Sequence, residues 1–306
     1  MNSNQKLSLV FNCTIGIGIL SWKSHKTLKK SLQSYEKIGL KNLFDENKII
    51  FQEISKYDEE IADKYGYDYV GTSTNKGIQA GHKLIYENIM TDYILILEND
   101  NPVIESIDIC YERLSQAMKY LENKEIDIMR LRHRWNFGEG FSLEKYLKYY
   151  SISELHEKYN HKKIDDTVFS SIIKYIKRLI RPFKAIRISG YSLYFEKNPE
   201  ILFPKNIKKL DEDFFAVSSY IMPWTNQGVL IKREFYGKLL EYAHNNPSSK
   251  TANGFQDLEK PLNRKWWRDK NFKIGVSEGI FTHNRFDDSW RREHRAFNKE
   301  MSKGNQ

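Results

Sequence analysis

The feature that most constrains the fold is an apolar strand that ends abruptly in acidic and amide side chains. Tyr93 to Leu97 reads YILIL and is followed at once by Glu98, Asn99 and Asp100. A continuous apolar run of this length is typical of a strand buried on both faces, and such strands belong to sheets covered by helices on both sides. The chain is therefore expected to fold around a central sheet between two helical layers.

The N-terminal half alternates between strand and helix patterns. Further strands are predicted at Thr14–Leu20, Lys48–Ile54, Tyr67–Gly71 and Asp127–Leu131. The helices predicted between them are Ser24–Lys37, Tyr57–Tyr65, Ile78–Ile89 and Glu105–Leu121. This alternation favours βαβ units, so the expected fold class is α/β, a Rossmann-like mixed sheet flanked by helices.

The alternation breaks near residue 136. Residues 136–189 read as a helical basic insertion, and strand character returns at Gly190–Phe195, Gln227–Lys232 and Lys273–Val276. Four segments are predicted: a first half of the main domain over 1–135, the insertion over 136–189, a second half over 190–286 and a basic C-terminal helix and tail over 287–306. A chain of 306 residues suits one large domain with such an insertion.

Composition narrows the class of partner. The net charge of +9 attracts anions, which include nucleic acids, phosphorylated ligands and anionic lipid headgroups. Two cysteines, Cys13 and Cys110, cannot form a disulfide framework, and no apolar run approaches the roughly 18 residues of a membrane span. With no signal-peptide pattern at the start, a cytoplasmic protein is expected, with peripheral membrane contact left open.

The acidic residues after the YILIL strand suit a metal-assisted phosphate site. In open α/β sheets ligands gather at the carboxyl ends of strands, and a carboxylate there can hold a hard divalent cation that neutralises a diphosphate. For Glu98 and Asp100 taken alone, an ordinary polar turn that ends a strand is the better explanation.

A longer pattern surrounds this turn. The residues Asn75 to Ile78 read NKGI, a helix containing Gly81 follows, and then comes TDYILILENDN. Together with TIGIGILSWKSHKTLKKSLQSY upstream, this order resembles the family-two glycosyltransferases of the GT-A fold over about residues 14–103. The family uses a nucleotide-diphospho-sugar donor and a D-x-D-like motif, in which Glu98 departs from the usual first acid.

The C-terminal half carries a second part of the resemblance. Thr225–Tyr236 is similar to the family's acceptor-side strand and helix start, and Phe255–Glu259 to the region that contributes the catalytic base. Phe272–Arg285 is similar to the closing segment, in which a histidine ligates the metal in many relatives. Gln256 stands where the family usually has a glutamate.

The resemblance implies a role for each matching residue. The donor is expected to be a UDP-sugar, the metal Mn²⁺ or Mg²⁺, and the acceptor a saccharide or glycolipid, with inverting chemistry. The implied donor-binding residues are Ser21, Trp22, Glu53, Asn75, Lys76, Gly77, Glu98 and Asn99. The implied metal ligands are Asp100 and His283, and the implied base is Asp257 with Glu259 in reserve. Plainer alternatives stay open, because Asp257 suits a helix cap, Trp22 a core position and Asn75–Gly77 a turn.

Three further features are candidate binding surfaces. Arg130, Arg132 and Arg134 alternate along one strand face, so Arg132 and Arg134 are candidate contacts for an anionic acceptor or the diphosphate, with a solvated basic edge as the alternative. Trp224 and Asn226 suit an acceptor sugar or, equally, a loop around a buried tryptophan. Ile172–Lys184 is a basic amphipathic helix that suits an anionic membrane or, alternatively, packs its apolar side on the core.

Two other functions compete with sugar transfer. A nucleotidyltransferase needs a glycine-rich basic loop after the first strand to hold a triphosphate, and Leu20–Lys23 does not supply one. A nucleic-acid-binding protein would explain the charge and the aromatic residues, but acidic residues are interspersed and no recognition motif is present, so no nucleic acid is expected as a partner.

Overall fold

A nine-stranded sheet forms the centre of the computed structural model, which describes residues 5–138, 143–154, 168–251 and 254–285. The strands are β1 Ile15–Ser21, β2 Glu46–Phe51, β3 Asp68–Gly71, β4 Tyr93–Glu98, β5 Ile128–Arg132, β6 Ile207–Asp211, β7 Phe214–Ser218, β8 Val229–Lys232 and β9 Lys273–Phe281. The helices are α1 Ser8–Phe11, α2 His25–Ile38, α3 Lys56–Tyr65, α4 Ile78–Asn88, α5 Ile107–Glu122, α6 Leu143–Leu147, α7 Val168–Ile180, α8 Pro182–Ser189, α9 Pro199–Leu202, α10 Arg233–Asn245, α11 Glu259–Leu262 and α12 Lys265–Lys270.

The sheet is mixed, and its topology gathers strand ends at one edge. The spatial order is β3-β2-β1-β4-β8-β5-β9-β7-β6. Strands β3, β2, β1 and β4 are mutually parallel, β8 runs antiparallel between β4 and β5, and β9 is parallel to β5. The carboxyl ends of β1, β2, β4, β5 and β9 therefore meet at the same edge, where the loop before β8 also arrives.

Both faces of the sheet are buried, which explains the apolar strands. The side chains of Ile17 and Ile19 lie in one core with α2 and α5, whereas Ile94 and Ile96 lie in the other with α4 and α10. Gly18 takes the α4 side of β1, where a Cβ atom would lie 2.6 Å from Cγ2 of Ile85. The alternating glycines of IGIGIL thus let α4 pack directly on the strand.

The predicted fold class is confirmed, and most predicted elements of the N-terminal half are found within a few residues of their expected bounds. Two expectations were wrong. Gly190–Tyr194 is a short 3₁₀ helix and not a strand, and the hairpin of β6 and β7 was missed. The edge strand β6 escaped notice because Lys208 and Lys209 are exposed and interrupt any alternating apolar pattern.

The amphipathic segment also differs from the prediction. Instead of one helix over 172–184 there are two, because Pro182 opens α8 and Arg181 before it has a non-helical backbone, with φ −130° and ψ 57°. The predicted tail over 287–306 lies outside the described residues, as do 139–142 and 155–167 of the predicted insertion. No helix within the described ranges is long and apolar enough to cross a membrane.

Candidate active site

The acidic turn after β4 is held from two sides of the sheet edge. The backbone N–H of Asn99 donates to the carbonyl of Leu20 at 3.0 Å, and that of Asn284 donates to the carbonyl of Asp100 at 3.0 Å. Within the turn, Oδ1 of Asn101 accepts from the N–H of Glu98 at 2.9 Å. The carboxylates of the turn are therefore preorganised by neighbouring strands.

Asp100 and His283, which are 183 positions apart in the chain, meet in this turn. Nε2 of His283 lies 2.9 Å from Oδ2 of Asp100, and Nε of Arg285 donates to the same oxygen at 3.1 Å. Both Asp100 and His283 are buried. Burial by itself would raise the pKa of Asp100, but the hydrogen bond and charge of His283 and the charge of Arg285 outweigh it and hold the pKa below its usual value. Asp100 is thus a buried carboxylate kept ionised.

The donor set around Asp100 fits a divalent cation. Its second oxygen, Oδ1, is buried and has no hydrogen-bond partner, which is costly unless a ligand uses it. In the part of the chain that the structure describes, no group of three or more His, Cys, Asp or Glu side chains is gathered closely enough to hold a metal alone. Mg²⁺ and related ions are commonly held by one or two protein ligands plus substrate phosphates, so Asp100 and His283 suit an ion shared with a diphosphate.

Glu98 lies beside this pair and joins a polar chain that crosses the edge. Its Oε2 accepts from Nε2 of Gln227 at 3.3 Å, and Oε1 of Gln227 accepts from Nη1 of Arg132 at 3.0 Å. Burial and then the charges of Asp100 and Glu259 raise the pKa of Glu98 to about 7. Arg132 is thus linked to Glu98 through Gln227, an amide that was not among the candidate site residues of the sequence.

Trp22, Lys23 and Glu53 line the edge at the ends of β1 and β2. Nε1 of Trp22 donates to Oε2 of Glu53 at 3.0 Å, and Nζ of Lys23 lies 3.2 Å from Oε1. The hydrogen bonds from Trp22 and Lys23 lower the pKa of Glu53. The backbone here is unusual, since Lys23, Ser24 and Glu53 have φ values of 50°, 60° and 56°. Left-handed residues other than glycine are uncommon and concentrate at functional sites.

The predicted donor residues Asn75, Lys76 and Gly77 form a turn that opens α4. Oδ1 of Asn75 accepts from the N–H of Gly77 at 2.8 Å, and the N–H of Lys76 donates to Oε1 of Gln52 at 2.8 Å. Asn75 therefore uses its carbonyl oxygen within the turn, while the Lys76 side chain is exposed. Gln52 was not singled out in the sequence, yet it is buried and its Nε2 has no hydrogen-bond partner.

Ser21 and Asn99 tie the first strand to the acidic turn. Ser21 is buried, and Nδ2 of Asn99 lies 3.5 Å from its Oγ and 3.4 Å from the carbonyl oxygen of Lys23. The two residues therefore connect the end of β1 to the acidic turn, and Asn99 is half-buried.

The two candidate bases differ in surroundings. Oδ1 of Asp257 accepts from the N–H of Glu259 at 3.0 Å just before α11, but the N-cap residue of this helix is Leu258, so Asp257 is not its cap. Glu259 accepts from the N–H of Asn226 at 3.2 Å, and burial followed by the charge of Asp257 raises its pKa. Asn226 is followed by Gln227, which donates to Glu98, so Glu259 contacts the loop that reaches the acidic turn.

The predicted acceptor residues are largely buried. Trp224 donates from Nε1 to Oδ1 of Asn226 at 2.9 Å and packs edge-on against Trp267, so the pair has the contacts of a buried loop. Arg134 is also buried, with its guanidinium 4.3 Å from the ring centre of Trp135 and 4.6 Å from that of Phe215. Arg132 is buried as well, so the alternative of a solvated basic edge is wrong for both arginines.

Comparisons with known proteins find matches among solved structures but none by sequence. No protein-family profile and no curated protein matches the sequence. Among solved structures, S. aureus TarS 1-349 is 11% identical with a TM-score of 0.45, over 89% of this chain and 60% of that chain. A mycobacterial protein is 11% identical with a TM-score of 0.48, over 93% of this chain and 72% of that chain.

A third match is the mannosyltransferase PcManGT from Pyrobaculum calidifontis, in complex with GDP-Man and Mn²⁺. It is 9% identical with a TM-score of 0.33, over 40% of this chain and 36% of that chain. The chain spans less than two thirds of the TarS chains that it matches. At such low similarity, the matches do not indicate the activity or the substrate of this protein, which must be inferred from the side chains of its own site.

Proposed function

We propose that this protein is a glycosyltransferase that moves a sugar from a nucleoside-diphosphate sugar to an acceptor hydroxyl. The observation that carries the proposal is the buried Asp100–His283 pair, whose free carboxylate oxygen lies at the sheet edge where the parallel strands β1 and β4 end side by side. This geometry suits a diphosphate with its counter-ion. It also agrees with the motif resemblance of the sequence.

The donor is proposed to lie along the ends of β1, β2 and β4. Trp22 and Glu53 would contact the nucleoside, together with the unpartnered Nε2 of Gln52, which can donate to a base carbonyl such as those of uracil. Arg285 beside Asp100 adds a cation for the diphosphate. Asp100 and His283 would hold Mn²⁺ or Mg²⁺, which supplies charge neutralisation for the departing nucleoside diphosphate.

Glu259 is the proposed general base, and Asp257 is the alternative. A base works best when its pKa lies near the working pH, and burial raises the pKa of Glu259. Glu259 also accepts from the N–H of Asn226, on the loop whose Gln227 reaches Glu98. In the proposed reaction the acceptor hydroxyl gives its proton to Glu259 and its oxygen attacks the anomeric carbon. The bond to the diphosphate oxygen breaks, and the configuration inverts.

The acceptor is proposed to be a saccharide or glycolipid that approaches from the second half of the chain. The loop before β8 supplies Gln227, which touches Glu98 and is oriented by Arg132. The hydrogen bond between Trp224 and Asn226 would stabilise this loop from its buried side. Residues 1–135 would then supply the donor side of the cleft, and 190–286 the base and the acceptor side.

Nucleotide binding tests the proposal. The wild type and Asp100→Asn would be titrated with UDP, GDP and UTP with and without Mn²⁺, and unfolding temperatures recorded. A ligand at 100 times its dissociation constant stabilises by about 2.7 kcal/mol. We expect one nucleoside diphosphate to stabilise the wild type with Mn²⁺, and the Mn²⁺ effect to vanish in Asp100→Asn.

Asp269→Asn is the matched control, because Asp269 is an exposed carboxylate on α12. It should retain the metal-dependent shift. A shift with UTP alone would favour a nucleotidyltransferase, and no shift with any nucleotide would refute the donor site.

A further inference from the structure

An apolar stripe on α7 and α8 faces away from the rest of the described protein. The stripe follows helical spacing, and its exposed side chains are Phe169, Ile172, Tyr175, Ile176, Leu179, Ile180, Phe183 and Ile186. Phe169 and Phe183 are each 72% exposed and Leu179 is 63% exposed. Single exposed apolar residues are common, but a contiguous stripe along two helices marks an interaction surface.

The orientation of α7 is fixed by its polar side. Lys174 is buried, and its Nζ donates to Oγ of Ser151 at 3.3 Å. Nη1 of Arg178 donates to the carbonyl of Tyr149 at 2.6 Å, and its guanidinium lies 5.5 Å from the ring centre of Tyr150. Lys174 and Arg178 thus point toward the protein while the apolar side faces outward, which is the reverse of an ordinary surface helix.

The segment that Tyr149, Tyr150 and Ser151 belong to is itself well anchored. Glu196 is buried, accepts from Tyr146 Oη at 2.9 Å and from the N–H of Ser153 at 3.1 Å, and its carboxylate is therefore satisfied by hydrogen bonds. The outward direction of the stripe rests on this frame and not on α7 alone.

Exposed cations border the stripe. Residues 168–189 contain six Lys or Arg and no Asp or Glu. Four of the six, Lys177, Arg181, Lys184 and Arg187, are exposed. Exposed aromatic and aliphatic side chains flanked only by positive charge are the composition of helices that lie in the interface of an anionic bilayer.

We propose that α7 and α8 dock this protein on an anionic lipid surface. The apolar side chains would enter the headgroup boundary, and the four cations would contact lipid phosphates. A second copy of the chain is a poor partner for this surface. If two copies paired through it, the four exposed cations of one would face the four of the other and repel them. The inference does not depend on the proposed sugar transfer, although a membrane-bound acceptor would place both partners at the same surface.

Vesicle flotation of the full chain tests the proposal. We expect binding to vesicles that contain phosphatidylglycerol, at least tenfold weaker binding to pure phosphatidylcholine vesicles, and weakening by salt. Ile176→Asp with Leu179→Asp should reduce binding to the anionic vesicles at least tenfold. Both side chains are exposed, so the variant should keep the unfolding temperature of the wild type.

Leu9→Asp is the matched control, since Leu9 is 71% exposed on α1, and it should bind like the wild type. Absence of binding to anionic vesicles, or equal binding by the double variant, would overturn the proposal. A wild-type dimer that becomes monomeric in the double variant, measured by light scattering, would also overturn it and assign the stripe to a second copy. Loss of nucleotide binding alone leaves these outcomes unaffected, so the two proposals fail separately.

Discussion

The two neighbouring carboxylates of the proposed acceptor side give the sharpest test of mechanism. Glu259→Gln keeps the size of the side chain and an oxygen for the N–H of Asn226, which is 3.2 Å away, but removes the base. General-base catalysis contributes about 10²- to 10⁴-fold to a rate. We therefore expect kcat to fall by that factor, which is about 3–5 kcal/mol of barrier, while nucleotide affinity is retained.

Asp257→Asn is the matched variant. It removes a charge two residues earlier but keeps an oxygen that can accept from the N–H of Glu259, so kcat should change less than tenfold. Asp257→Ala removes this hydrogen bond and should lower the free energy of unfolding by about 1 kcal/mol. The assay is the initial rate of nucleoside diphosphate release, measured across pH for each variant.

The pH profile adds an independent check. Burial raises the pKa of Glu259, so the wild-type rate should fall as pH is lowered through that raised value, and Glu259→Gln should lack this limb. If Asp257→Asn abolished turnover while Glu259→Gln retained it, the assignment of the base would be refuted and Asp257 would take its place.

Two predictions concern stability. Burial lowers the pKa of His82 to about 3, so between pH 6.5 and about 3 the unfolded chain binds the extra proton and the folded chain does not. Lowering the pH from 6.5 to 5 should therefore cost about 2 kcal/mol of unfolding free energy, and His82→Gln should flatten this slope in urea titrations. Gly18→Ala would place a Cβ 2.6 Å from Cγ2 of Ile85 and should lower the free energy of unfolding by about 1–3 kcal/mol. An unchanged midpoint of urea unfolding would contradict this, because it would mean that α4 can move away from β1 at no cost.

The N-terminal half was predictable because its strands are buried on both faces. Continuous apolar runs such as YILIL, bounded by turn residues, identify the strands clearly. Parallel pairing of these strands then places the ends of β1, β2 and β4 at the same edge. The meeting of Asp100 with His283 was expected only through the motif resemblance, since spacing alone does not bring together residues so far apart in the chain.

Other parts of the site had no readable signal. Gln52 and Gln227 are single amides whose importance comes from burial and partners, which a sequence does not display. Arg134 lies two residues beyond the end of β5, and alternation could not show that its guanidinium is buried and donates to the carbonyl of Leu193. Periodicity likewise identified the amphipathic segment 172–184 without revealing that its apolar side points outward.

Turnover of a panel of nucleotide sugars is the direct test of the proposed sugar transfer. The full chain would be incubated with Mn²⁺, simple saccharide acceptors and each UDP- and GDP-sugar in turn, and the released nucleotide separated and quantified. We expect release of a nucleoside diphosphate from one donor, loss of that release in Asp100→Asn and its retention in Asp269→Asn. Release that persists undiminished in Asp100→Asn, or the absence of release and of binding with every donor, would contradict it.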